Sequence, residues 1–400
     1  MEIAVVGGGA AGFFAAINMA EKNPANRVYI FEKTGKTLQK VKISGGGRCN
    51  VTNACFSPSA LIKNYPRGGK ELAPLFRRFQ PRDAIQWFEK RGVRLKTEPD
   101  NRVFPVTDSS QTIVDCLVAG AHRAGVAVRL HSEPASLEPA GEKWKIVFKN
   151  GGPQLFDAVV MAPGASKSVW NILESLGHRI VPPVPSLFTF NISDGRLKDL
   201  QGISFPHVKC RIAGAKLEAE GPALITHWGL SGPAILKLSA FGARELAGKD
   251  YRFDLSINFS PGLNFESARA ELELLRRRHP QKFVRNIPPF GLPARYWQNL
   301  LAYCGFREDL QWREAGNKQF NKLAEETVNA TFHASGKSAF KEEFVTCGGV
   351  DLAEVNMQTM ESRLFPRLFF AGEVLNIDAV TGGFNFQAAW TTAWVAAQAV

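Results

Sequence analysis

IAVVGGGAAG, residues 3–12, is the stretch that decides the fold. Ile3, Ala4, Val5 and Val6 make a short apolar run of the kind that becomes a buried strand. Gly7, Gly9 and Gly12 then space out a GxGxxG turn, with Ala10 and Ala11 inside it, ahead of a helix-forming run from Phe13 to Glu21. Glycines at this spacing let the backbone turn tightly and bring the positive end of a helix against an anionic phosphate. Val28, Tyr29, Ile30 and Phe31 predict a second buried strand closing at Glu32, twenty residues beyond Gly12. A carboxylate there accepts hydrogen bonds from both hydroxyls of an adenosine ribose and disfavours a 2′-phosphate. The alternative, glycines packed for their own sake beside a solvated glutamate, does not account for the full strand, turn, helix, strand order. That order starts a parallel sheet.

Working outward, residues 33–53 read as a basic, glycine-rich loop. Residues 70–92 read as helix, with Leu72, Leu75, Phe76, Phe79, Ile85, Trp87 and Phe88 as its apolar stripe, and residues 111–124 read likewise. Strands at 127–130, 143–148 and 158–161 predict a β-meander on a Rossmann-like sheet, ending at Ala162, Pro163, Gly164 and Ala165. From Pro182 the texture changes to proline-rich turns and isolated strands (187–192, 207–212, 223–226, 251–258), so a domain boundary is expected near 182–188. Residues 264–335 look largely helical, broken at Pro288, Pro289 and Pro293. Leu368–Ala371 returns to the style of the first strand, and Gly382 and Gly383 precede a helix to the C-terminus. The expected organisation is a split nucleotide-binding domain (1–187 and 344–400), a β-rich insert (188–262) and a helical subdomain (263–343).

The composition narrows the function. With 400 residues and 45% hydrophobic content there is core enough for several domains. Six cysteines (49, 55, 116, 210, 304 and 347) form no CxxC pair, which argues against a disulfide framework or a zinc site, so free thiols and no metal are expected. No apolar run approaches the roughly 18–20 residues of a membrane helix, and Met1 runs straight into the first strand with no leader pattern, so a cytoplasmic protein with no membrane partner is expected. Lys+Arg 49 against Asp+Glu 37 leaves a formal +12, which favours anionic ligands. With no aromatic-interleaved basic box apparent in the sequence, a small-molecule substrate is expected rather than nucleic acid. Oligomeric state is left open.

FAD and NAD share the N-terminal fingerprint, so the discriminating signal lies at the other end. Phe370, Ala371, Gly372 and Glu373, then Gly382, Gly383, Phe384, Asn385, Phe386 and Gln387, form a return strand and helix start of the kind a flavin fold uses to cover the ribityl chain and the pyrimidine edge of the ring. Amide dipoles at that helix start stabilise negative charge on a reduced ring. An ordinary glycine-capped terminal helix is the plainer alternative. The loop Ser44, Gly45, Gly46, Gly47, Arg48, Cys49, Asn50, Val51, Thr52, Asn53 is dense in glycine and polar donors. Arg48 and Asn50 offer donors to phosphate or ring oxygens, unless the loop is merely flexible. Cys49 reads as a buried small hydrophobe or a redox-active thiol.

Three segments then resemble one family. SGGGRCNVTN (44–53), TCGGVDLAEVNMQTMESRLFPRLFFAGEVL (346–375) and TGGFNFQAAW (381–390) are similar to the HI0933-like flavoproteins, with FPVTDSSQTIVDCL (104–117) and THWGLSGPAIL (226–236) extending the resemblance along the chain. It implies an α/β fold: a split Rossmann-like FAD-binding domain of the two-dinucleotide-binding type, with an inserted β-barrel-like domain and a helical subdomain, and FAD held non-covalently. The residues it implies around the cofactor are Gly7, Gly9, Ala10, Ala11, Gly12, Glu32, Lys33, Ser44, Gly45, Gly46, Arg48, Asn50, Val51, Thr52, Ala162, Gly164, Gly372, Glu373, Gly383, Asn385 and Phe386. The chain departs from the family pattern at Asn376, where Asp is common, and at Phe384, where Tyr is frequent.

Catalytic residues are the least legible. His227 moves a proton near neutral pH or is structural, and Cys347, with Gly348 to Val350, contacts the ring face or only packs. The expected activity is hydride exchange between flavin and a small organic substrate. The alternatives are a flavin-dependent RNA-modifying or RNA-binding protein and a non-catalytic redox sensor. With no second GxGxxG and acidic partner, NAD(P)H is expected at most as a transient reductant.

Overall fold

The computed structural model describes residues 1–338 and 345–400. The expected domain boundary at 343/344 lies outside the described residues. The chain divides into two units: Met1–Pro185 with the C-terminal segment, and a second unit beginning at Ser186.

The first unit is built on a sheet whose parallel part runs, from one edge, β3 (Ala127–Arg129), β2 (Arg27–Phe31), β1 (Glu2–Val6), β4 (Ala158–Met161) and β5 (Leu368–Phe370). Glu361–Ser362 and Val355–Asn356 extend it antiparallel beyond β5. Ile3 lies between Val28 and Ala158, and Val5 between Ile30 and Val160. Covered on both faces, the central strands are apolar at consecutive positions, residues 3–6, 28–31 and 158–161, rather than at alternate ones. β5 enters the same sheet from the far end of the chain, with Phe369 beside Val160.

Helices α1 (Ala10–Lys22) and α4 (Phe384–Ala399) pack together and hold this unit closed. Both are buried almost all round, α1 at every residue from Ala11 to Ala20, as expected of helices in the middle of a large core. The Phe14 ring lies 5.1 Å from Trp390, and Lys22 Nζ donates to Gln398 O at 2.7 Å. Equal spacing between these two contacts makes the helices parallel and nearly level at their N-termini. Trp390 is fully buried, and its indole N–H donates to Val51 O at 2.9 Å.

The structure corrects several expectations. The loop expected over 33–53 contains α2 (Gln39–Gly47), whose last part leaves helical geometry at Ser44, Gly45 and Gly46. The helix expected over 70–92 is two, Gly69–Phe76 and Pro81–Glu89; the break comes where Gln80 N–H donates to Asp83 Oδ2 at 2.8 Å and Pro81 starts the second. The meander is a separate antiparallel sheet, Pro134–Ala140, Lys143–Phe148 and Pro153–Phe156; only β3 and β4 join the main sheet. Residues 111–124 form α3 (Gln111–Arg123).

The second unit is a closed six-stranded barrel with helices: Thr189–Ile192, Gly229–Ser231, Glu218–Ile225, Ser204–Ile212, Arg252–Asn258 and Ala330–Ser338, in that order around it. The last strand belongs to the stretch expected to be helical. It pairs Ile257 with Ala330 and Arg252 with Ser335, then meets Thr189–Ile192 on its other side. Its signal is alternation, with Phe332 and Ala334 buried and Thr331, His333 and Ser335 exposed; extending the preceding helical periodicity through it hides that period. The helices Phe265–Arg278, Ala294–Tyr303 and Asn317–Val328 are inserted between the fifth and sixth strands. The described parts of 188–262 and 263–343, expected as separate domains, therefore contribute strands to one barrel.

Two predictions test this core. Trp390→Ala removes the ring between α1 and α4 and orphans Val51 O, so it should cost about 3–5 kcal/mol in urea unfolding. His178 is buried, with Nδ1 3.0 Å from Glu354 Oε2 and Nε2 3.1 Å from Ser362 Oγ. Burial outweighs the Glu354 carboxylate and holds the imidazole below its ordinary range. The folded state thus resists a proton that the unfolded chain accepts below about pH 6.5. Stability should fall as pH drops through that value toward the lower folded-state value, and the urea midpoint of His178→Gln should show a smaller loss between pH 7.5 and 5.5.

Candidate functional site

The glycine turn leaves β1 toward the start of α1. Gly7 N–H donates to Phe31 O at 2.8 Å, and a Cβ on Gly7 would lie 2.3 Å from Ala162 O. Gly12 is tighter: its Cβ would lie 1.9 Å from Gly7 O. These two glycines let β1, β4 and α1 close up at one corner. Gly9 differs, because a Cβ there meets nothing within 4 Å. The amides of Gly9, Ala10, Ala11 and Gly12 have no acceptor among the described residues, and no side chain caps α1. Four N–H groups without acceptors at a helix start, with open space beside Gly9, have the donor chemistry of a pyrophosphate cradle.

The C-terminal start is brought to the same corner. A Cβ on Gly372 would stand 2.8 Å from Ala11 Cβ, and Gly372 N–H donates to Thr392 Oγ1 at 2.9 Å. Gly383, at φ +91°, caps α4; its Cβ would lie 2.5 Å from the Thr52 carbonyl, so only glycine fits. The Asn50 side chain links the two segments, its oxygen accepting from Gly383 N at 2.9 Å and its nitrogen donating to Thr52 O at 2.9 Å. The amides of Phe384, Asn385 and Phe386 have no acceptor among the described residues. Both helix starts thus present free donors at one end of one helix pair.

Several side chains expected at the cofactor do other work. Arg48 is ion-paired with Glu98 at 2.7 Å and with Asp108 at 3.4 Å, and its guanidinium lies 4.0 Å from the Phe104 ring centre. Held on two carboxylates, it braces the loop rather than standing free for a phosphate. The Asn385 side chain forms a reciprocal pair with the Ala379 backbone, accepting at 2.9 Å and donating at 3.0 Å. Glu373 accepts from Lys40 Nζ at 2.5 Å and from Thr346 N at 3.1 Å. Phe386 stacks on Trp390 at 5.6 Å, and Val51 is buried with its N–H donating to Val103 O at 2.9 Å. Lys33 is exposed.

Glu32 follows β2, with Oε2 accepting from Gly8 N and Oε1 from both Thr34 N and Thr34 Oγ1, each at 2.9 Å. A carboxylate oxygen accepts up to two bonds, so Oε2 keeps one place for a ribose hydroxyl. Ser44 Oγ donates to Val41 O at 2.8 Å, and Gly45 turns the chain against Asn50. A Cβ on Gly46 would meet nothing within 4 Å. Gly164, just beyond β4, would bring a Cβ within 3.6 Å of Glu373 Oε2.

Cys49 N–H donates to Ser44 O at 3.0 Å beside Asn50, and Cys347 follows Thr346, whose N–H donates to Glu373, whereas His227 belongs to the second unit. Cys49 is buried, and burial pushes its thiol up to about 12 despite a hydrogen bond with Ser44, so it stays protonated and unreactive at neutral pH. Cys347 is fully buried. His227 is exposed at the tip between two barrel strands of the second unit, beside the exposed Trp228. Among the described residues no group of three or more His, Cys, Asp or Glu is placed to hold a metal, and no helix is long and apolar enough to cross a membrane.

Sequence reading missed the polar line behind the α4 start. Thr52 Oγ1 donates to Gln387 Oε1 at 2.6 Å, Gln387 Nε2 to Thr391 Oγ1 at 3.0 Å, and Thr391 Oγ1 to Phe79 O at 3.0 Å, all buried. Tyr65 O–H donates to Phe384 O at 2.7 Å, and Arg67 pairs with the buried Asp378. Gln387, an amide between Phe386 and Ala388 in α4, is the signal that was available in TGGFNFQ. Tyr65 and Arg67 carry no spacing that marks them.

A Rossmann sheet completed from both ends of the chain, with two level helix starts that no side chain caps, is the FAD-binding fold of flavoprotein oxidoreductases. Residues 1–399 match the HI0933-like protein Rossmann domain, and the chain belongs to that family. It is 30% identical to the ribosomal RNA dihydrouridine synthase of Escherichia coli strain K12, over 98% of this chain and 96% of that one. It is 25% identical to the 3-dehydro-bile acid delta(4,6)-reductase of Clostridium scindens, over 99% and 98%. Among solved structures, the 3-ketosteroid-delta4-(5alpha)-dehydrogenase of Rhodococcus jostii RHA1 superposes with a TM-score of 0.51 at 15% identity, covering 99% of this chain and 97% of that one. That likeness is one of fold.

Gly9→Ala separates fold from cofactor. Its Cβ meets no protein atom, so unfolding of the cofactor-free protein should shift by no more than about 0.5 kcal/mol. FAD affinity, read by fluorescence quenching on titration, should fall at least about tenfold as the methyl enters the phosphate space; unchanged affinity would place the pyrophosphate elsewhere.

Proposed function

We propose that this protein is an FAD-dependent oxidoreductase that saturates a carbon–carbon double bond conjugated to a carbonyl. One observation carries the cofactor assignment: the starts of α1 and α4, from opposite ends of the chain, lie level at one corner with unpartnered amides on each. FAD, when bound, supplies two-electron hydride exchange, here between a reduced nicotinamide as transient donor and the double bond. The chain's own residues bind and orient. The amides of Gly9 to Gly12 would take the pyrophosphate charge, Glu32 Oε2 would offer its remaining lone pair to the adenosine ribose, and the open face at Gly46 would admit the cofactor closely. The amides of Phe384 to Phe386 oppose negative charge on the ring, favouring its reduced form. Asn50 fixes the distance between the loop and α4, so these donors need no rearrangement when charge develops.

The reaction class follows from what the relatives' names share. Dihydrouridine is uridine with its ring double bond saturated, and a delta(4,6)-reductase of a 3-dehydro-bile acid acts on double bonds conjugated to a ketone. Both add two hydrogens across an activated C=C. A second reading makes the substrate a uridine in ribosomal RNA; the formal +12 favours it over a steroid acid, since a polyanionic substrate is drawn to a basic protein.

Purified protein should be yellow, and anaerobic mixing with NADH or NADPH should bleach it. A colourless protein that FAD cannot reconstitute overturns the assignment. The reduced protein, incubated with deproteinised ribosomal RNA or a conjugated enone, should add two hydrogens to one of them by mass spectrometry; addition to neither sinks the double-bond reading.

A further inference from the structure

From Leu274 to Arg307 the chain carries seven lysines and arginines (276, 277, 278, 282, 285, 295 and 307) and not one aspartate or glutamate. This stretch lies within the second unit, where backbone contacts bring part of it together. Arg313 N–H donates to Pro280 O at 3.0 Å and Trp312 N–H to Lys282 O at 3.0 Å, while Phe283 bridges to Gln311. The last turn of helix Phe265–Arg278, the segment from Pro280 to Arg285 and Arg313 therefore adjoin.

Charge on this surface is only partly paired. Arg276 meets Glu273 at 2.5 Å and Arg285 meets Glu308 at 3.1 Å. The exposed Arg277, Arg278, Lys282 and Arg313 have no carboxylate partner among the described residues. Glu314, the nearest acid in sequence, accepts from Gln311 N at 3.0 Å. A helix C-terminus favours one or two cations in its last turn; three arginines followed by a lysine exceed that need. Phe283 is partly exposed among them, with the Arg285 guanidinium 5.8 Å from its ring centre. Unpaired cations around an accessible aromatic ring suit an RNA strand, with phosphates on the cations and a base on the ring.

We propose that Arg277, Arg278, Lys282 and Arg313, arranged about Phe283, form an RNA-docking surface that engages phosphates of the substrate RNA. The proposal rests on the ribosomal-RNA reading above, but its test reads binding, not turnover. Binding of the FAD-loaded full chain to deproteinised ribosomal RNA is measured by filter retention between 50 and 300 mM salt, about the range over which phosphate contacts are lost. The quadruple variant R277Q/R278Q/K282Q/R313Q should bind at least about tenfold more weakly, and its slope of log affinity against log salt should be shallower by about 2–3, near 0.7 per lost single-strand contact. F283A should weaken binding with the slope unchanged. NAD(P)H bleaching of the flavin should be as in the parent, reporting an intact fold. Equal affinity and slope in parent and quadruple variant overturn the proposal. So does patch-dependent retention on phosphatidylglycerol vesicles without retention of RNA. Patch-dependent RNA binding with no dihydrouridine formed leaves the docking surface standing and sinks the ribosomal-RNA activity instead.

Discussion

The parallel pairing of α1 with α4 is the constraint on which the first unit depends. Phe14 against Trp390 and Lys22 against Gln398 set the two helices side by side and level. Without that pairing, the N-terminal turn would be an isolated helix start and the C-terminal turn another, each with weak affinity for any anion. Set level, they would place free donors along an extended dinucleotide and would share the cost of ordering it. Gly372 against Ala11, and Asn50 against Gly383, hold the corner to a spacing the core does not allow to relax.

Electrostatics at this corner comes mostly from the backbone. The side chains that looked free in the sequence are committed: Arg48 to Glu98 and Asp108, Asn385 to Ala379, Glu373 to Lys40. Backbone donors at helix starts cannot rotate away and lose no rotamer freedom on binding, so a cradle made of them is preorganised. The polar side chains around it act as braces, and the buried Thr52, Gln387, Thr391 line ties the α4 start to the loop before it.

Much of the fold was legible, for definite reasons. The strand 3–6, its glycine turn and Glu32 were readable because a buried parallel strand is apolar throughout and the turn has strict steric demands at Gly7 and Gly12. The barrel's last strand was not. Its two-residue period is short and follows helix Asn317–Val328, while its partners Arg252–Asn258 and Thr189–Ile192 are far away in sequence. The break at Gln80 hid inside a continuous apolar stripe. At the site, backbone roles followed from glycine spacing; side-chain roles did not, because which carboxylate Arg48 meets depends on a hairpin that spacing leaves unplaced. The basic stretch at 274–307 is visible as composition, yet its link to Arg313 exists only once residues 280–282 lie against 311–313.

The order of elements along the chain has a consequence for synthesis. The barrel lacks its closing strand until Ala330–Ser338 has emerged, and the first unit lacks β5 and α4 until residues 368–399 have been made. A nascent chain therefore carries its glycine turn exposed for most of translation, with α1 presenting its buried face to solvent or to a chaperone. Coenzyme capture would have to wait for α4, and a polypeptide interrupted before α4 would lack one of the two helix starts and leave the face of α1 uncovered.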